Sequence, residues 1–257
     1  MDLGLHGRTA FVAASTAGLG RAVAESLGRE GANVVVTGRR LAAAQEVAAA
    51  LPSAIAVELD VTDAASRAAA IAATEAAFGP IDILVINGPG PSPSTAADLS
   101  AADLTAAVEQ LVSPGHNLIQ RTLPGMRARG WGRILAVGST GVVAPLPHLA
   151  GSNLGRAALA GYLKTLASEV GADGVTVNML LPGRIATDRV ARLDAAQAER
   201  EGVAPEDVAR RSRSTIPVGR YGTADEFGDA AAFLCSARAG YITGVALRCD
   251  GGLVRTQ

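Results

Sequence analysis

Aromatic side chains are scarce in this chain: one Trp, three Tyr and four Phe make up 3% of its 257 residues. A sandwich whose core rests on stacked rings is therefore not expected, and the abundant Ala, Gly and Val suit helices packed closely on a parallel sheet. Cysteine is nearly absent. Cys235 and Cys249 stand in no C-x-x-C or metal-ligand spacing, which excludes a disulfide framework and leads us to expect no metal site. With no secretory leader at the N-terminus, they read as reduced thiols of a cytoplasmic protein. Blocks of like charge are lacking too: 23 basic and 24 acidic side chains are interspersed, so neither nucleic acid nor an anionic membrane is an expected partner. Apolar runs such as 175–181 are too short to span a bilayer. No Pro/Ser-rich linker divides the chain, and 49% hydrophobic content is enough for one core, so a single domain over 1–257 is expected.

What is present is a regular alternation of short apolar runs with Ala-rich helical stretches, the pattern of repeated βαβ units and a parallel sheet with helices on both faces. Strands are expected at 9–14, 33–38, 54–59, 81–86, 133–138, 175–181 and 245–249, most of them continuously apolar as doubly buried strands are. Helices are expected at 20–30, 41–50, 64–78, 101–129, 152–170 and 224–236. The segment 186–220 is Arg-rich, has weak helical periodicity and is too long for an ordinary connection, which marks it as a substrate lid.

After the first strand the chain reads Ala13-Ala14-Ser15-Thr16-Ala17-Gly18-Leu19-Gly20. Gly18 and Gly20 let the backbone approach a pyrophosphate closely while the amides of the following helix point at it. A glycine pair that merely ends a strand is the simpler alternative. The second strand closes on Gly38-Arg39-Arg40, where a dinucleotide's adenosine ribose lies in such a fold. An acid there would select NAD. Two guanidiniums suit the 2′-phosphate of NADP(H), which is favoured over NAD(H), unless both arginines only solvate a helix start.

Taken in order, these motifs resemble the short-chain dehydrogenase/reductase family over essentially the whole chain, which implies a Rossmann-type, doubly wound α/β fold with seven parallel strands. The family's glycine motif, T-G-x-x-x-G-x-G, is matched at Gly18 and Gly20 but has Ala13 and Ala14 at its first two positions. The resemblance implies a cofactor site of Ala14, Ser15, Gly18, Leu19 and Gly20, with Asp60-Val61 at the adenine and Asn87-Gly88 in the loop after the fourth strand. Pro182, Gly183, Ile185 and Thr187 would hold the nicotinamide carboxamide. Asp60 has a bland alternative as a helix cap, and Pro182-Gly183 has one as a simple turn. Asn178 and Asp250-Gly251-Gly252 also fall where the family has them.

At the chemical end the pattern breaks. The family uses a tyrosine as acid/base, a lysine four residues later that lowers its pKa, a serine on the preceding strand and an asparagine that completes a proton relay. Ser139 matches the serine, but Ser152 stands at the tyrosine position, Arg156 at the lysine and Leu111 at the asparagine. A serine hydroxyl does not substitute simply for a phenol. Arg156 remains able to clamp ribose hydroxyls. His148, four residues before Ser152, is a candidate replacement acid because histidine suits proton transfer near neutral pH; otherwise it is an exposed loop residue. Tyr162 and Lys164 lie beyond the catalytic turn and are expected to be packed and solvated respectively.

The leading expectation is an NADPH-dependent reduction of a small-molecule carbonyl or imine with Ser139, Ser152, Arg156 and His148 as catalytic candidates. The alternatives are a dinucleotide-binding protein without redox turnover, acting as sensor or inactive partner, and a non-redox lyase or isomerase on the same fold. The resemblance also implies a homo-oligomer, dimer or tetramer.

Overall fold

The computed structural model describes residues 1–255. Among the described residues seven strands form one sheet: β1 (Thr9–Val12), β2 (Asn33–Gly38), β3 (Ala54–Glu58), β4 (Ile83–Ile86), β5 (Gly132–Val137), β6 (Val175–Pro182) and β7 (Ala246–Cys249). Their order is β3-β2-β1-β4-β5-β6-β7, and every neighbouring pair is parallel. The order reverses between β1 and β4. This is the doubly wound Rossmann-type arrangement, and the crevice beyond the carboxyl ends of β1 and β4 is where such sheets bind ligands.

Alternation along the strands divides the core in two. Phe11, Leu84, Ile86, Ile134 and Ala136 point to one face and pack against α3 (Ala64–Phe78), α5 (Ser113–Ala128) and α6 (Ala150–Val170). Ala10, Val12, Ile83, Val85, Leu135 and Val137 point to the other, against α1 (Gly18–Arg29), α2 (Leu41–Ala49) and α9 (Ala224–Leu234). Burying both faces is what makes these strands continuously apolar.

Three expectations are corrected. The stretch 101–129 is two helices, α4 (Ala101–Leu111) and α5, parted at Val112. Pro114, in the first turn of α5, has no amide with which to continue the α4 ladder. The segment 186–220 contains two well-formed helices, α7 (Asp188–Glu201) and α8 (Pro205–Ser214). Their periodicity is faint in sequence because so little of them is buried, namely Asp194, Ala198, Val208 and Ala209. Finally β1 stops at Val12, two residues early, because Ala14 turns to φ 49° and leaves the extended region. No helix among the described residues is long and apolar enough to cross a membrane.

Candidate functional site

The turn after β1 is held open by side chains rather than by glycine at its start. Ala14, at φ 49°, occupies a left-handed conformation that costs a residue with a Cβ about 1–2 kcal/mol. Two bonds fix it there: its amide donates to Thr37 Oγ1 at 3.0 Å, and its carbonyl accepts from Asn87 Nδ2 at 3.1 Å. Gly18 is also left-handed, at φ 57°. A Cβ on Gly20 would lie 2.4 Å from the Ala14 oxygen and 2.6 Å from Asn87 Nδ2, so that position admits glycine only. The N-cap of α1, Ala17, offers no side-chain hydrogen bond, and the first turn has no acid. The leading amides of α1 are thus left for an anion, and the cradle fits a dinucleotide pyrophosphate.

Not every predicted cofactor residue faces the cleft with its side chain. The Ser15 hydroxyl is fully buried, donating to Val12 O at 2.8 Å and accepting from the Thr37 amide at 2.9 Å; it braces β1 against β2. Leu19 is half-buried against the α1/α9 core, and Ile185 is buried in the same core. Asn87 works as a strut for Ala14, a role that only its spatial neighbour reveals.

At the ribose end Arg39 and Arg40 are exposed, and neither has an ion pair or hydrogen bond among the described residues. Asp60 accepts from the Thr62 hydroxyl at 2.7 Å and the Thr62 amide at 2.9 Å. Those two bonds, with the nearby charges of Arg39 and Arg67, hold its carboxyl below the usual carboxylate range. It does not cap α3; Asp63 does, accepting from the amides of Ala65 and Ser66. Val61 is buried, a van der Waals contact from the place of a Cβ on Gly88.

Ser139 follows β5 and its Oγ accepts from the Gly141 amide at 3.1 Å. Arg156, on the first turns of α6, donates from Nη1 to the carbonyls of Val137 at 2.9 Å and Gly138 at 3.1 Å, and from Nε to Ser152 Oγ at 3.3 Å. Burial, reinforced by the charge of Arg189, draws the Arg156 guanidinium down to about 10, so it remains cationic at neutral pH. Leu111, expected at the relay position, is buried, and a Cβ on Gly155 would lie 2.7 Å from its Cδ1.

His148 is exposed, sits at φ 58°, and its ring has no hydrogen-bonding partner among the described residues. Its carbonyl accepts from the Ser94 amide at 3.0 Å, which ties the start of α6 to the loop after β4. Tyr162 is half-buried with its ring 5.5 Å from that of His116. Lys164 is exposed, and its ammonium donates to Gly244 O at 2.9 Å. Both lie away from Ser152, about three turns further along α6.

Gly183, Ile185 and Thr187 lead from β6 into the lid. Gly183 donates its amide to Cys249 O at 3.0 Å and approaches Asp250 so closely that a Cβ would lie 2.7 Å from the Asp250 Cα. The segment 186–220 is anchored through a residue that sequence alone did not single out. Asp194 of α7 is buried, accepts from Arg184 at 2.9 Å and from the Tyr221 hydroxyl at 2.8 Å. It pins the helix to the segment after β6 and to the segment before α9, and no local spacing connects the three residues.

Comparison with known proteins agrees with this geometry. A family profile described as enoyl-(acyl carrier protein) reductase matches residues 13–254. The chain is similar to the 3-oxoacyl-[acyl-carrier-protein] reductase of Escherichia coli, at 33% identity covering 98% of this chain and 99% of that one. It is also similar to the NADPH-dependent reductase BacG of Bacillus subtilis, at 30% identity covering 97% and 98%. Among solved structures, the L-sorbose reductase of Gluconobacter frateurii, complexed with NADPH and L-sorbose, superposes with a TM-score of 0.93 at 32% identity over the whole of both chains. The profile and these relatives name different substrates but one kind of chemistry. The chain belongs to the short-chain dehydrogenase/reductase family, as a nicotinamide-dinucleotide-dependent oxidoreductase.

Proposed function

We propose that the protein is an NADPH-dependent reductase of a small-molecule carbonyl or imine, working with Ser139, Ser152 and Arg156. The observation that carries this reading is the placement of Arg156. One guanidinium bonds both carbonyls at the end of β5 and reaches Ser152, so the strand bearing Ser139 and the helix bearing Ser152 are locked together at the cofactor cleft. Such preorganisation is what positioned chemistry requires.

The Gly18–Gly20 cradle and the α1 amides would hold the pyrophosphate, Arg39 and Arg40 the 2′-phosphate, Asp60 the adenine, and Pro182-Gly183 with Thr187 the carboxamide. The bound nicotinamide supplies hydride. Ser139 donates a hydrogen bond to the substrate oxygen or nitrogen and polarises it. Arg156 stays protonated and stabilises negative charge growing on that atom. The proton comes from water held by Ser152 and Arg156; His148, exposed and without a partner for its ring, is the other candidate. Such a site turns over more slowly than one with a phenol. Relatives whose names include NADPH support the cofactor preference.

We further read the chain as one domain with α7 and α8 as its lid, a cytoplasmic protein with two free thiols, and a homo-oligomer. The loss of Tyr, Lys and Asn together, with Leu111 sealed against Gly155, favours as second reading a dinucleotide-binding protein without turnover. A cofactor titration followed by carbonyl, imine and alcohol panels separates the two. NADPH consumption with stoichiometric product is the expected result. Tight NADPH binding with no product across the panels transfers the case to the second reading. Product formed equally with a nonconvertible cofactor would point to a lyase or isomerase.

A further inference from the structure

The arginines of the lid region fall into two kinds. Arg184, Arg210, Arg211, Arg213 and Arg220 are each salt-bridged, to Asp194, Asp207, Glu201, Glu206 and Glu226 respectively. The guanidiniums of Arg192, Arg200 and, in the first turn of α7, Arg189 have no ion pair or hydrogen bond among the described residues, and Arg189 is set apart by where it reaches. Its guanidinium instead crosses to the loop after β4. The point that a Cβ on Gly90 would occupy lies 3.3 Å from Arg189 Nη2, 3.8 Å from Arg189 Nη1 and 3.7 Å from Arg156 Nη2. Arg156 has committed Nε and Nη1 to Ser152 and the β5 carbonyls, so Nη2 is the nitrogen left to face the cleft. Two cations from different helices therefore converge over a glycine, whose missing side chain leaves room between them. Burial, with the neighbouring charge of Arg189 as the lesser cause, lowers the pKa of Arg156.

An uncompensated pair of this kind is stabilised by an anion that fits between the forks, and a carboxylate matches guanidinium geometry with two oxygens. The carboxylate would sit beside Ser139 and Ser152, because Arg156 bonds to the latter and to the strand end that carries the former. Buried Asp194 fixes the helix from which Arg189 reaches out.

We propose that the substrate is an oxo acid, whose carboxylate is held between Arg189 and Arg156 over Gly90 while its carbonyl lies at Ser139. This rests on the reading of the cleft as a carbonyl-reducing site. The same oxyanion chemistry would be offered by the cofactor's own diphosphate, and the test separates the two sources. Calorimetric titrations of the NADPH-saturated protein, and of the free protein, would use oxalate and pairs of short 2-oxo and 3-oxo acids with their amides.

The expected result is that at least one acid binds the NADPH complex about tenfold or more tightly than its amide. Arg189→Gln should abolish that preference and change NADPH affinity by less than about twofold. Arg189→Lys, which keeps the charge but loses the fork, should retain part of the preference. Equal binding of acids and amides overturns the proposal. So does an Arg189→Gln protein that keeps the acid preference, or one that loses NADPH affinity about tenfold instead, which would give the guanidinium to the diphosphate. If NADPH does not bind at all, the reductase reading fails by itself, and the titrations of the free protein still decide whether the arginine pair takes a carboxylate.

Discussion

Removing the Ser139 hydroxyl leaves the β5–α6 junction standing, because that junction is tied by Arg156 and not by Ser139. Ser139→Ala should therefore lower kcat by about one hundredfold, the scale of losing one donor to a developing oxyanion, while NADPH affinity stays near its original value in a fluorescence titration. A matching loss of NADPH affinity would show that the serine serves the cofactor. His148→Ala is the companion measurement: an unchanged rate assigns the proton to water at Ser152 and Arg156, and a fall assigns it to the imidazole. At the other end of the cleft, the guanidiniums of Arg39 and Arg40 make no ion pair or hydrogen bond among the described residues. Their joint replacement by Ala should weaken NADPH by about tenfold to one hundredfold through the loss of charge-assisted bonds, with little change for NADH. Equal loss for both cofactors would falsify the 2′-phosphate assignment. These residues are proposed from motif order alone, and so is the absence of the tyrosine, lysine and asparagine. Their partners were not legible there, since Asn87 to Ala14 and Thr37 to Ser15 bridge residues from different strands.

The elements with least burial are those whose placement depends most on single contacts. α7 keeps its position through Asp194, which Arg184 and Tyr221 approach from the two ends of the lid segment. Breaking a buried ion pair typically costs about 3–5 kcal/mol. Asp194→Asn should accordingly lower lid stability by an amount near the bottom of that range, since Arg184 is partly exposed and the amide can still accept a bond. Limited proteolysis between α7 and α8 should quicken, and substrate KM should rise more than kcat falls. Cleavage at the wild-type rate with unchanged KM would remove Asp194 from the positioning of the lid. The break between α4 and α5 at Val112 belongs to this scale as well. Pro114 was in plain view in the sequence, but helix-forming residues on both sides masked a boundary that a missing amide imposes.

For the molecule as a whole, the outer strand β7 leaves Ala246, Leu247 and Arg248 exposed, next to a fully exposed Tyr241. An open parallel edge with apolar neighbours is a surface that proteins ordinarily cover. The homo-oligomer implied by the family resemblance gives it a cover in a second copy of this chain. Sedimentation velocity at micromolar concentration should report a dimer or tetramer, and Leu247→Glu should shift the distribution toward smaller species. A wild-type protein that sediments as a monomer over that range would dispose of the idea.

The sequence by itself determined the fold and the cofactor class, and it set the expectation of a departure from the family's catalytic set. Each of these is written in local terms: continuous apolar strands separated by helical periods, glycines at a strand-to-helix turn, and a helix register that puts Ser152 and Arg156 at known positions. Only the tertiary structure decided how those residues are used. It showed Ala14 held left-handed by Asn87 and Thr37, Arg156 tying β5 to Ser152, Asp194 holding α7 to Arg184 and Tyr221, and Arg189 brought over Gly90 to face Arg156. The physical reason is distance along the chain. Periodicity and motif spacing report on neighbours a few residues apart, whereas a hydrogen bond or a convergence of charges forms between side chains that meet only once the sheet and its helices have assembled.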